Sequence, residues 1–120
     1  MNVQCVVATT GRFKVTERPE IWVEFNAMVL SKFAAHAAGA PLWMEFDYSS
    51  AVVGKITAAW VTNGLMLVRA SIDRDLPAGD MYIVPSFSLE ADEIKPMEFS
   101  LTRTPSDPRV TPIRVLKAGE

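Results

Sequence analysis

The amino-acid sequence predicts a mostly β fold of the α+β class, a small antiparallel β-barrel of about seven strands with one helix. Short apolar runs separated by turn residues predict the strands, and one stretch with helical spacing predicts the helix. An Asn-Gly pair between two alternating runs predicts a tight hairpin. Because 120 residues suit a single hydrophobic core, we expect one domain over residues 1–120.

The first third of the chain predicts two strands and the helix. Apolar runs at residues 3–8 and 21–25 have the length and composition of strands. Asn26 is a suitable N-cap for the helix, and Gly39 followed by Pro41 is a typical stop signal. The apolar positions of this helix recur at spacings of three and four residues, at Val29, Leu30, Phe33 and Ala37.

The rest of the chain predicts strands only. Residues 52–62 and 65–73 flank Asn63-Gly64, a pair that readily adopts the two positive φ angles of a type I′ hairpin turn. Further strands are expected at residues 81–84 and 97–102. Residues 110–116 predict an edge strand interrupted by Pro112.

Composition limits the functional classes. Apolar residues at 49% and charged residues at 22% are typical of a folded domain rather than a disordered one. A net charge of −2 gives no electrostatic reason to bind nucleic acid or an anionic membrane, and no apolar run has the roughly 20 residues of a membrane helix. The N-terminus lacks the basic and apolar regions of a secretion signal. The single cysteine, Cys5, suits a reducing compartment, and its apolar neighbours predict a buried, inert thiol.

Metal and cofactor sites are not predicted. The chain has one histidine and one cysteine, and its carboxylates do not have the spacing of a zinc or calcium motif. Two acidic clusters are interpreted as exposed faces; they are Glu17, Glu20 and Glu24, and Glu90, Asp92 and Glu93. A third group could hold a weak surface calcium ion, although a solvated loop is the favoured interpretation; it comprises Asp73, Asp75 and Asp80. No glycine-rich phosphate loop or dinucleotide fingerprint is present, so we expect no cofactor.

Five short elements follow one another in the second part of the chain. They are residues 41–47 (PLWMEFD), 53–56 (VGKI), 63–67 (NGLML), 84–88 (VPSFS) and 98–110 (EFSLTRTPSDPRV). Their order and approximate spacing resemble the tailed-phage prohead proteases, relatives of the herpesvirus capsid protease assemblin. The last element, Ser-Leu followed by Pro-x-x-Pro, is the most specific. The resemblance covers roughly 70 residues and implies a prohead-protease-like barrel over about residues 20–116.

The departures from the family pattern concern catalysis. In the family, a strand of the form Pro-x-Leu-x-x-His-Asp carries the catalytic histidine, but here Phe46 stands immediately before Asp47. Ser86 falls at the position of the nucleophile, but Ser88 is so close that the alignment with the family motif leaves open which serine matches. A serine hydroxyl is a weak nucleophile without a base, and phenylalanine cannot accept a proton. We therefore expect no catalytic site, and we interpret Phe46 as a core aromatic and His36 as a lone surface histidine.

The resemblance implies a non-enzymatic virion protein. We expect a capsid decoration (cement) protein that binds the major capsid protein as a homo-oligomer, assembled in the host cytoplasm and located in the virion. Residues 1–18 and 105–120 would be contact arms, and tryptophans would be core residues or an exposed contact patch; these are Trp22, Trp43 and Trp60. The alternative is a minimal prohead serine protease in which Ser86 attacks capsid or scaffolding proteins with the help of an unconventional base. A small barrel without a viral role is a third possibility.

Overall fold

The computed structural model describes residues 1–90 and 93–120, and this part of the chain forms nine strands and one helix. The strands are β1 (Asn2–Thr9), β2 (Gly11–Val15), β3 (Arg18–Phe25), β4 (Pro41–Met44), β5 (Gly54–Thr62), β6 (Leu65–Ile72), β7 (Tyr82–Glu90), β8 (Glu93–Thr102) and β9 (Arg114–Val115). The helix, α1, spans Ala27–Ala37 between β3 and β4. Of the predicted acidic cluster at Glu90, Asp92 and Glu93, Asp92 lies outside the described residues.

The strands form two sheets. The large sheet has the order β7-β8-β4-β5-β6-β1-β9 and curls into a half-barrel, whereas β2 and β3 form a separate hairpin. The prediction of a mostly β, barrel-like fold with one helix is thus confirmed. The sheet is mixed rather than wholly antiparallel, because β4 and β8 run parallel, with Leu42 opposite Phe99. Strand β8 pairs with β4 only after the chain has passed through β5, β6 and β7, so local sequence patterns do not reveal this pairing.

The helix forms as predicted. The Asn26 side chain accepts a hydrogen bond from the Val29 amide (2.9 Å) and caps the first turn. Leu30, Phe33 and Ala37 are fully buried, because their spacing places them on one face against the large sheet. This apolar stripe fixes α1 on the sheet.

The β5–β6 hairpin also forms as predicted. Asn63 and Gly64 both have positive φ angles, 49° and 75°, as a type I′ turn requires. At the other end of β5, Gly54 lies against β6 so closely that a Cβ atom there would be 2.4 Å from the Ser71 carbonyl oxygen. This close approach explains a glycine inside a strand.

The N-terminal segment packs into the core and the C-terminal segment pairs with the large sheet, so neither is a separate arm, and a contact of these segments with a capsid stays a prediction. Strand β1 lies between β6 and β9 in the large sheet, and Val3, Cys5 and Val7 are buried. Strand β2, which the sequence did not predict, adds Phe13 to the same core. The alternation of β1 was visible in the sequence, but its position between β6 and β9 depends on pairing with residues more than 50 positions away.

The C-terminal segment bridges the two ends of the curled sheet. The Thr111 amide donates to the Val6 carbonyl of β1 (3.3 Å), and the Ile113 amide donates to the Met81 carbonyl, just before β7 (2.8 Å). The segment therefore takes up one backbone carbonyl of β1 and one just before β7, and it links these two parts of the sheet.

Candidate functional site

Ser86 and Phe46, the two positions singled out by the sequence, lie near each other in the structure. Ser86 is half-buried in β7, where a bulge shifts the register with β8 between Pro85 and Phe87. Phe46 follows the end of β4, and both residues line the same cavity. The structure thus brings together the two residues that match the family's nucleophile and histidine positions.

The turn that carries Phe46 has an unusual backbone. Glu45 and Phe46 have φ angles of 49° and 61°, in the left-handed region that costs a non-glycine residue about 1–2 kcal/mol. Hydrogen bonds made by Glu45 hold the turn. Its amide donates to the Leu101 carbonyl (2.8 Å), and its carboxylate accepts from the Thr102 hydroxyl (2.9 Å) and the Arg103 amide (3.0 Å).

The interpretation of Phe46 as a core aromatic is wrong. Its side chain is 38% exposed, because the turn that follows Met44 carries it to the mouth of the cavity instead of leaving it in line with the strand. Strand β4 ends two residues before Phe46, so the alternation of buried and exposed positions stops there.

The Ser86 hydroxyl is bonded into the β7–β8 pair. It accepts hydrogen bonds from the Glu98 amide (3.1 Å) and the Tyr48 hydroxyl (2.9 Å), and it donates to the Glu98 carbonyl (3.3 Å). We call Ser86, Tyr48 and the Glu98 backbone the Ser86 cluster. Since the hydroxyl hydrogen is directed at a carbonyl and Tyr48 donates, neither contact withdraws a proton from Ser86 as a general base would.

His36 is engaged elsewhere. Its Nε2 atom hydrogen-bonds with the Met97 carbonyl, and its ring lies 6.1 Å from the Phe99 ring. Among the hydrogen bonds of the described residues, none joins His36 to Ser86. The interpretation of His36 as a surface histidine agrees with its exposure on α1.

Asp47, which matches the aspartate of the family motif, is bonded within its own turn. The Ser49 hydroxyl and then the Ser49 amide donate to its carboxylate, at 2.6 and 3.2 Å, and they lower the pKa of Asp47 below its ordinary value. The carboxylate is exposed and serves as an acceptor inside the turn.

A cavity of about 250 Å³, which we call the Phe46 cavity, lies beside the Ser86 cluster. It opens to solvent and is lined by residues of β1, the β2–β3 hairpin, β7 and the turn before residue 110. Its lining consists of Val7, Phe13, Val15, Phe25, Phe46, Val84, Pro85, Ser86, Phe87, Ser106, Asp107 and Val110. Apolar side chains therefore dominate, with a few polar groups among them.

A second polar group, which sequence reasoning missed, borders the same cavity. Arg109 donates from its amide and Nε to Asp107 Oδ1 and from Nη2 to Oδ2, each at 3.0 Å. Its guanidinium also donates to the carbonyls of Thr10 (2.9 Å) and Thr9 (3.0 Å) and lies 4.8 Å from the centre of the Phe13 ring. We call these groups the Arg109 cluster; an aspartate two residues before an arginine in a proline-bounded turn was its only sequence signal.

Other side chains with chemical potential are not arranged as sites. Within residues 1–90 and 93–120, no group of three or more histidine, cysteine or acidic residues could hold a metal ion. Burial raises the pKa of the Cys5 thiol to about 12, as expected for an inert cysteine. In the same part of the chain, no helix has the length and apolar character needed to cross a bilayer.

Comparison with known proteins adds no relative. No protein-family model, curated protein or solved structure matches this chain, so its resemblance to the prohead proteases stays a prediction.

Proposed function

We propose that this chain is a non-enzymatic structural protein of a phage virion, a decoration subunit that binds the major capsid protein and stabilises the shell. The non-enzymatic part is supported above all by the Ser86 cluster, in which the serine hydroxyl bonds to the backbone of the neighbouring strand. The viral part rests on the resemblance of residues 41–113 to the prohead proteases. A protease-like fold that is retained for its shape and not for catalysis accounts for both the bonded serine and the resemblance.

The edge of the large sheet offers a contact surface for the capsid. Strand β7 ends the sheet, and edge strands present backbone groups to a partner. On the β7–β8 hairpin, Leu89 and Met97 are 58% and 50% exposed. We propose this surface, in place of the terminal segments, as the contact with the capsid. Each contact would be weak, but a homo-oligomer repeated over the capsid lattice would bind with avidity.

Particle analysis tests this proposal. In particles purified from the phage that encodes the chain, we expect a copy number near that of the major capsid protein. Purified protein should also sediment with heads that lack it, whereas Leu89→Glu and Met97→Glu should reduce binding. Val61→Glu, which places a charge at an exposed valine of β5, is the matched control. Absence from mature heads, or binding that all three variants retain, would contradict the proposal.

A minimal serine protease is the second candidate, and two observations favour it. Ser86 lines a cavity that could receive a substrate side chain, and the Tyr48 hydroxyl is 2.9 Å from its Oγ. In this mechanism Tyr48 would first have to lose its own hydroxyl proton to solvent, so that its phenolate oxygen could take the proton from Ser86 Oγ. Cleavage of capsid or scaffolding protein that is lost in both Ser86→Ala and Tyr48→Phe would support it.

A further inference from the structure

The Phe46 cavity is preformed by aromatic side chains that pack on one another. Phe13 and Phe25 meet edge to face with ring centres 5.1 Å apart, and Phe25 meets Phe87 in the same way at 5.4 Å. Phe46 completes a lining of four rings. Because these contacts do not depend on an occupant, the cavity persists when empty, and apolar cavities of this kind take up small apolar molecules.

The polar groups of the lining leave no uncompensated charge. Asp107 carries the negative charge at the wall, but Arg109 donates to both of its carboxylate oxygens. The Ser106 hydroxyl donates to Glu17 (3.1 Å), and the Ser86 hydroxyl is bonded to the β8 backbone. A charged occupant would lose its hydration without gaining a counter-charge, so the cavity favours an uncharged one.

Phe46 differs from the other three rings because it stands at the mouth. Phe13, Phe25 and Phe87 pack against the core, whereas Phe46 is substantially exposed on a turn in the left-handed backbone conformation. Backbone strain of this type concentrates at ligand-binding positions. Here Glu45 holds the strained turn in place, and the result is an aromatic wall at the entrance.

We propose that the Phe46 cavity is a binding site for a small, uncharged aromatic molecule of one or two rings. Its rings would contact the occupant face to edge, and Phe46 would form the wall nearest solvent. The cavity shares strand β7 with the proposed capsid contact, but Leu89 and Met97 do not line it. Substitutions at Leu89 and Met97 therefore test the capsid contact, and Phe46→Ala tests the cavity, so either assignment can fail without the other.

Titration of the isotope-labelled full chain tests the proposal, with p-cresol as the probe and backbone amide shifts as the readout. We expect saturable shifts at amides of β2, β7 and residues 106–110, with a dissociation constant of about 0.1–1 mM for so small a molecule. The charged analogues p-toluate and 4-methylbenzylamine should bind at least about tenfold more weakly. Shifts that do not saturate, shifts confined to other regions, or equal binding of the charged analogues would overturn the proposal.

Variants locate the site. Val110→Trp should fill the cavity and abolish the shifts, and Phe46→Ala should weaken binding about threefold to tenfold, the value of one aromatic contact. Trp22→Ala removes an exposed aromatic from β3, outside the lining, and should leave binding unchanged. If Val110→Trp does not fold, Phe46→Ala decides, because unchanged affinity in that variant contradicts the assignment.

Discussion

The Ser86 cluster and the Arg109 cluster border the same cavity, yet they stabilise the molecule in different ways. The Ser86 cluster consists of neutral hydrogen bonds within one strand pair and to a neighbouring turn. The Arg109 cluster joins a nearly buried carboxylate to the turn between β1 and β2, about 100 positions earlier in the chain. The sequence drew attention to the first, whereas the second has the stronger and longer-range contacts.

Removing Arg109 should have the largest effect. Arg109→Met should lower the free energy of unfolding by about 3 kcal/mol, because Asp107 stays nearly buried without its cation and two carbonyls lose their donors. Chemical denaturation measures the change. In the control, Arg18→Met breaks an exposed ion pair with Glu20 and should change stability by less than about 1 kcal/mol. Equal effects of the two variants would mean that the Arg109 cluster contributes no more to stability than an exposed ion pair does.

Ser86→Ala should have a smaller effect. The variant loses three hydrogen bonds made by a half-buried hydroxyl, so we expect a destabilisation of about 1 kcal/mol, measured in the same denaturation series. A loss as large as that of Arg109→Met would show that the Ser86 cluster contributes as much to the free energy of unfolding as the Arg109 cluster does.

Ser100, on the neighbouring strand β8, allows a comparison between a serine hydroxyl without a partner and the bonded hydroxyl of Ser86. Among the described residues, the Ser100 hydroxyl is buried without a hydrogen-bond partner. Ser100→Ala should therefore leave stability unchanged or raise it by up to about 1 kcal/mol, since removal of an unsatisfied hydroxyl relieves a desolvation penalty. A clear loss of stability would mean that this hydroxyl has a partner, such as a buried water molecule.

Phe46→Gly should have the smallest net effect on stability. Glycine relieves the strain of the left-handed backbone, and this gain offsets the apolar contacts that the exposed ring loses. We expect a net change below about 1 kcal/mol by thermal denaturation. Phe46→Ala, which keeps the strain and loses the ring, is the control and should be the less stable variant.

Local patterns predicted the elements whose form depends on near neighbours. The cap at Asn26, the buried stripe of α1 and the turn at Asn63-Gly64 all follow from residues within a few positions. The parallel pairing of β4 with β8 does not, because it depends on the path of the chain through three intervening strands.

The candidate site was only partly predictable for the same reason. Sequence reasoning placed Ser86 and Phe46 at matching motif positions, and the structure brings them to one cavity. It could not give the left-handed turn at Glu45, which depends on Thr102 and Arg103 more than 50 positions away. Nor could it give the partners of Ser86, whose hydroxyl direction follows from a bulge in β7.

The most direct test of the account is whether the Ser86 hydroxyl can act as a nucleophile. The protein would be incubated with a fluorophosphonate probe and its intact mass measured, alongside Ser86→Ala and a known serine hydrolase. A hydroxyl held by the β8 backbone, with no general base beside it among residues 1–90 and 93–120, should remain unmodified while the hydrolase is fully labelled. A stoichiometric adduct that Ser86→Ala abolishes would contradict the scaffold account.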